Sequence, residues 1–212
     1  MKKFRPILFS TPMVQSILKN VKNQTRRTKG LENINKNPSI YKYNGVLANN
    51  SIKHVFARLW KNNHVETIHI DCPYGQIGDV LWVRESFVKE GNSYLHRASH
   101  TLFEEFIKWK PSIHMPKDGA RIFLEITDIK AERLQDISND DAINEGVEKV
   151  ISIGTEGCMY KDYVNDIPGV YYIAKVSFHS LWNKINGIKS WDANPWVWVI
   201  KLKKTQKPQN FI

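Results

Sequence analysis

Hydrophobic and polar positions along this chain change in short blocks, and each block predicts a short element. After Arg5 and Pro6, the run ILFS has the length of a buried strand. Thr11 then offers a helix cap with Pro12 at the first helical position, and Met13, Val14, Ile17 and Leu18 recur at helical spacing until the helix stops near Asn20. A strand from Gln24 would put Thr25 and Arg27 on one face and Arg26 on the other. In GDVLWVRESF, Val80, Trp82, Arg84 and Ser86 point one way and Leu81, Val83, Glu85 and Phe87 the other. Leu102, Phe103, Phe106 and Ile107 predict a helix over Thr101 to Ile107, which the prolines of WKPSIHMPKDGA cannot continue.

RIFLEITDI alternates cleanly, with Ile122, Leu124 and Ile126 toward a core. Ser138 and Asp141 have capping-box spacing ahead of Ala142, Ile143 and Glu145, and Gly146 ends that helix. A further helix over Phe178 to Asn186 carries Phe178, Leu181, Trp182 and Ile185 on one side and stops at Gly187. The closing NPWVWVIKL reads as a central strand. Between these elements, residues 28–66 are rich in Lys and Asn and residues 148–172 lack a clear period, so both are expected to be insertions or long loops. Short strands interspersed with short helices, without a βαβ rhythm, predict an α+β fold: a small curled sheet or barrel flanked by helices. At 212 residues one domain with insertions is expected.

Charge adds a partner class. The formal net charge of +10 favours an anionic ligand, and nucleic acid leads because clustered Lys and Arg release counterions from a phosphate backbone. Many of the lysines adjoin asparagines, as in LKNVKN and WNKING, a usage that AT-rich coding also produces. Cys72 and Cys158 are the only cysteines, with no zinc-ligand spacing, so no metal or other cofactor is expected and a reducing cytoplasm fits. The apolar run at the start is short and broken by Pro6 and Pro12, and none elsewhere is long enough to span a bilayer, so no membrane association is expected.

The stretch NVKNQTRR holds the densest candidate chemistry. Lys22, in the turn before the strand, could reach the Thr25 hydroxyl, the arrangement a threonine nucleophile needs if a lysine is to take its proton; the same residues also fit a solvated turn. Arg26 and Arg27 are candidate phosphate contacts. Arg84 and Glu85, opposite charges adjacent in an apolar strand, place one charge inward, as a site pair or as a buried structural pair. Trp109, Lys110, Ser112 and His114 sit on a proline-stiffened loop that could stack a base and hydrogen-bond its edge. In SWDANPW, Trp191 is a candidate stacking platform, and Asp192 and Asn194 are placed to cap turns.

The Lys-x-x-Thr-x-Arg element (Lys22, Thr25, Arg27), together with GDVLWVRE and the LQDISNDDAINEG segment, resembles the ASCH family of the PUA-like superfamily. RPILFSTPMV, CPYGQIGDVLWVRE, WKPSIHMP, ERLQDIS, DAINEG and SWDANPWVWV resemble, more closely, a branch of that family common in phages and prophages. The resemblance implies a PUA-like β-barrel with flanking short helices and a cleft suited to RNA, DNA or a modified nucleoside. It also implies an amidohydrolase option, since some bacterial ASCH proteins remove the acetyl group of N4-acetylcytidine. By that likeness Thr25 would attack the acyl carbon, Lys22 would activate it, and Glu145 would orient the lysine or shuttle a proton. The family's glycine two residues before the lysine is Asn20 here. A binding module without catalysis is the alternative.

Overall fold

The computed structural model describes residues 2–48, 52–59, 64–100, 106–151 and 158–211. They form a mixed α+β protein with mostly strands and few helices. The first elements are β1 (Phe4–Leu8), α1 (Thr11–Leu18), β2 (Gln24–Arg27), β3 (Tyr41–Ala48), β4 (Ile52–Leu59) and β5 (Val65–Ile70). Then come β6 (Val80–Arg84), β7 (Phe87–Glu90), β8 (Ser93–His96), β9 (Phe123–Arg133) and α2 (Asn139–Asn144). The last are β10 (Lys149–Ile151), β11 (Cys158–Asp162), β12 (Ile167–Tyr171), α3 (Ala174–Asn186) and β13 (Trp196–Thr205). The chain divides into two compact units, one of residues 1–23, 74–128 and 201–212, the other of residues 24–73 and 129–200.

In the first unit β1 runs parallel to β6, Phe4 opposite Val80 and Leu8 opposite Arg84, and β6 runs antiparallel to β9, Trp82 opposite Phe123. The apolar residues of these strands close on Phe211, whose ring meets Phe123 at 4.8 Å and Phe4 at 5.6 Å, both edge-on. Val80, Trp82 and Ala120 complete that cluster. The strand expected to run through Phe87 ends at Arg84, and Phe87 opens a separate hairpin, β7–β8, in which Glu90 faces Ser93 across Gly91 and Asn92. Gly91, at φ +56°, supplies the left-handed conformation that such a tight loop requires. The helix expected over Thr101 to Ile107 lies, up to residue 105, outside the described residues.

The second unit holds β9 from Ile129, β13 up to Ile200 and β2, strands that are ladder neighbours in that order, together with two antiparallel sheets, β3–β4–β5 and β10–β11–β12. Ala174, Phe178 and Trp182 recur every fourth residue on α3, Val197 and Val199 every second on β13, and these two stripes pack with Leu134, Ile137, Ala142, Val147 and Tyr160. Ser138 Oγ accepts the Asp141 N–H to cap α2, and Gly146, at φ +87°, ends it.

Two expectations need correction. The sheets of the described residues are open, with β1 and β2 each paired on one side only, so these strands do not close into a barrel. Residues 28–66 are not a plain loop: they supply β3, β4 and the start of β5, and Leu31, Ile34, Val55, Phe56 and Ala57 are buried. In β4 the consecutive residues His54 to Ala57 are all buried, so the strand lacks the alternation by which a half-buried strand is recognised.

Candidate functional site

The local path of NVKNQTRR follows from one backbone turn. After α1, Asn20 adopts φ +57°, the left-handed region that glycine enters freely and asparagine tolerates better than most residues. Lys22, at 4% exposure, ends with its ammonium 5.7 Å from the centre of the Phe9 ring in the first unit. Thr25, at 2% exposure, and Glu145 belong to the second unit, and Arg27 there is half-buried at the end of β2.

Arg26, expected at a phosphate, instead points into the second unit with a fully buried side chain. Its guanidinium is shared among three carboxylates: Nε donates to Glu132 Oε1 at 3.1 Å, Nη1 to Glu145 Oε1 at 3.1 Å, and Nη2 to Asp141 Oδ2 at 3.2 Å. The Phe178 ring lies 5.8 Å from the guanidinium carbon, and Lys130 reaches Glu132 at 2.7 Å. Burial raises the Asp141 pKa, but a hydrogen bond from Gln24 and the charge of Arg26 outweigh it and hold the carboxyl below its ordinary value. Gln24, Thr25 and Arg26 are all buried, so both faces of β2 are covered, and the sequence alternation gives no sign that Arg26 meets carboxylates there.

The remaining candidates before residue 120 lie in the first unit. Arg84 and Glu85 each have another partner. Arg84 Nε donates to the Met115 carbonyl at 3.0 Å and Nη2 to that of Ile113, which fixes the 112–115 turn. Buried Glu85 receives both Nε and Nη2 of Arg121 at 2.9 Å, a bidentate pair of good geometry. Lys110 and Phe87 exchange backbone hydrogen bonds at 2.8 and 3.1 Å, which ties the proline loop to the β7–β8 hairpin.

That tie builds a pocket of about 750 Å³ lined by Phe87, Lys89, Tyr94, Lys110, His114, Pro116 and Asp118. Lys89 and Tyr94 are cross-strand partners, and the ammonium lies 5.4 Å from the ring centre. Tyr94 donates to Asp118 at 2.7 Å; this hydrogen bond lowers the carboxyl pKa and raises that of the phenol, so the pair is a neutral tyrosine on a carboxylate. A methyl group on Gly119 would stand 3.1 Å from the Tyr94 ring carbons, so glycine there lets the ring pack on the turn. Two lysines, a histidine and aromatic surface in one concavity can take an anion joined to a flat ring. Of the loop candidates Lys110 and His114 line this pocket, whereas half-buried Trp109 packs edge-on to His100 at 5.6 Å and Ser112 is outside the lining. Lys89, Tyr94 and Asp118 escape the sequence reading, although the Gly91-Asn92 turn between KE and SY was a visible hairpin signal.

Trp191, Asp192 and Asn194 belong to the second unit. Trp191 stacks on His179 at 4.6 Å, and Asn194 is structural: at φ +40°, its side-chain oxygen accepts the Gln135 N–H and its carbonyl accepts Arg133 Nε, both at 2.8 Å. Asp192 is exposed. The charge is unevenly divided. The first unit has sixteen basic and eight acidic residues, the second fifteen and thirteen, so +8 of the +10 lies in the first.

No family model matches the chain, and no curated protein or solved structure shows significant similarity to it. Among the described residues no group of three or more His, Cys, Asp and Glu side chains is placed to hold a metal, and no helix is long and apolar enough to cross a membrane.

Proposed function

We propose that this chain is an ASCH-type, PUA-like protein that recognises nucleic acid or a modified nucleoside through its first unit. The observation that carries the reading is the pocket lined by Lys89, Lys110, His114 and the half-buried Tyr94 ring, the last held by Asp118. Cationic groups beside aromatic surface suit a base with its phosphate, because ring stacking is sequence-tolerant and the ammonium groups meet the phosphate charge. The net +8 of this unit supports the same ligand class. The ASCH assignment rests on the sequence motifs, and the left-handed Asn20 supports it, since it takes up a conformation natural to the glycine of that position. The test is fluorescence anisotropy with labelled cytidine nucleotides and short RNA and DNA strands. Wild-type protein should bind with strong salt dependence and Lys110→Ala should bind several-fold more weakly; equal binding by the two would overturn the reading.

A second reading, hydrolysis of an N4-acylcytidine or a related amide, has its own motivation. It rests on the likeness of the Lys22-x-x-Thr25-x-Arg27 element to the ASCH amidohydrolases, in which a lysine activates a threonine. Thr25 Oγ would add to the acyl carbon and pass its proton by way of Lys22 to the departing amine, and water would then release the acid from the threonine ester. Glu145, held by Arg26, would act through its charge and position rather than as a free carboxyl.

A further inference from the structure

A second basic hollow lies in the first unit, and no part of the reading above uses it. It measures about 610 Å³ and is lined by Lys2, Lys3, Phe4, Arg5, Lys117 and Asn210. Strand period places Lys3 and Arg5 on one side of β1. Their carrier is anchored by Asp79, at 2% exposure, which accepts the Lys3 N–H at 2.8 Å and the Gln76 N–H at 3.1 Å and lies 3.9 Å from Arg5 Nε. Gly75 makes room for this anchor: at φ +118°, a side chain there would bring its first carbon to 2.5 Å from Asp79 Oδ2 and 3.2 Å from Arg5 Nε. Arg5 Nε is buried 3.9 Å from Asp79 Oδ2 and makes no hydrogen bond, so Asp79 orients the guanidinium from its inner side. Lys117 stands 4.6 Å over the Phe211 ring, and Lys2 is engaged by Glu125 at 3.3 Å. Among the described residues Asp79 and Glu125 are the carboxylates paired with cations of this hollow, against four cations.

The two hollows share a wall. In the turn Pro116–Lys117–Asp118 the outer residues line the aromatic pocket and the middle one lines the basic hollow. A ligand with one charge could fill either; a ligand with regularly spaced charges on a flexible thread could fill both. We infer that the ligand is a single-stranded oligonucleotide, with a base on Tyr94 and the adjoining backbone phosphates carried over Lys117 to Lys3 and Arg5. The inference rests on the proposed recognition reading and narrows it, from any nucleic acid or nucleoside to a residue within a strand. A duplex is disfavoured because its bases are already stacked and cannot offer a face to Tyr94.

The experiment compares a mononucleotide with RNA and DNA strands of the same sequence, by anisotropy across a salt series, for wild type, Lys110→Ala, and the double variant Lys3→Ala/Lys117→Ala. Both lysines are exposed, so the double variant should fold as wild type does, and Lys3→Glu is a second probe of the same hollow. The strand should bind wild type more tightly than the mononucleotide, and the double variant should flatten the log–log salt slope for the strand by about 1.4, roughly 0.7 for each lost phosphate contact, with mononucleotide affinity unchanged. Lys110→Ala should weaken both ligands. Equal binding of strand and mononucleotide, or a double variant and Lys3→Glu that both keep the wild-type slope, would overturn the inference and leave the recognition reading standing. Failure of every ligand to bind wild type would overturn both.

Discussion

Arg26 Nη1 lies 3.1 Å from Glu145 Oε1, and neither side chain is more than 5% exposed. The same guanidinium serves Glu132 and Asp141, so it neutralises a cluster that would otherwise be strongly repulsive. Removing one partner of a buried pair leaves an uncompensated charge, at a cost of about 3–5 kcal/mol. Arg26→Ala should therefore lower the unfolding free energy by that order, measured by urea denaturation. Arg26→Lys, which keeps the charge but loses the planar fork, should recover only part of it. An Arg26→Ala variant as stable as wild type would show that the cluster contributes nothing.

Asp141 gives a pH prediction whose sign follows from its lowered pKa. Its folded value lies below the 3.8 of an unperturbed aspartate, so the carboxylate contributes stability that is full above that value and is lost as pH falls through the folded pKa. Asp141→Asn should be less stable than wild type at neutral pH, and the difference should shrink on acidification. Thermal or urea melts in a series from neutral pH downward check this; a gap that stays constant would mean that Asp141 is not ionically coupled to Arg26.

Gly119→Ala tests how Tyr94 is held. The added methyl meets the Tyr94 ring at 3.1 Å, so the ring must give way, at a stability cost of about 1–3 kcal/mol if the turn cannot relax. With Tyr94 displaced, nucleotide affinity should fall several-fold while the protein stays folded. Unchanged affinity would indicate that Tyr94 does not contact the base.

How much of this was legible in the sequence depends on whether a signal was local. Pro12, Ser138 with Asp141 and Gly146, and Gly187 after α3 each act within one turn of chain, and the three helices appear near where these residues place them, although Ser10 rather than Thr11 is the N-cap of α1, with no side-chain capping bond, and α3 begins earlier, at Ala174. The core role of residues 31–57 was not legible, because Leu31, Ile34 and Phe56 are embedded in Lys/Asn-rich sequence and His54 is buried beside apolar neighbours. His54 is accommodated by long-range partners, a Tyr43 hydroxyl at 2.9 Å from Nδ1 and the Trp198 ring at 4.6 Å, that no spacing rule reveals. The Arg26 cluster and the Glu85–Arg121 pair likewise join residues far apart in the chain, and nothing local in the four residues of β2 declares that Gln24, Thr25 and Arg26 are all buried.

The hydrolase reading makes an outcome of its own. Wild-type protein incubated with N4-acetylcytidine or a longer acyl analogue should release cytidine, and Thr25→Ala and Lys22→Ala should abolish release with folding nearly intact. Thr25→Ser, which keeps a hydroxyl, should retain some turnover. Equal release by wild type and Thr25→Ala would remove Thr25 as the nucleophile and leave recognition without catalysis.

Uptake of a base beside Tyr94 is tested most directly by photo-crosslinking. A short single strand carrying a halogenated pyrimidine, irradiated with the protein and mapped by peptide mass spectrometry, reports which side chains touch the base. Cross-links should fall on Tyr94, be lost with Tyr94→Ala and be suppressed by competing unlabelled strand. Cross-links confined to residues of the second unit, or insensitive to competitor, would contradict it.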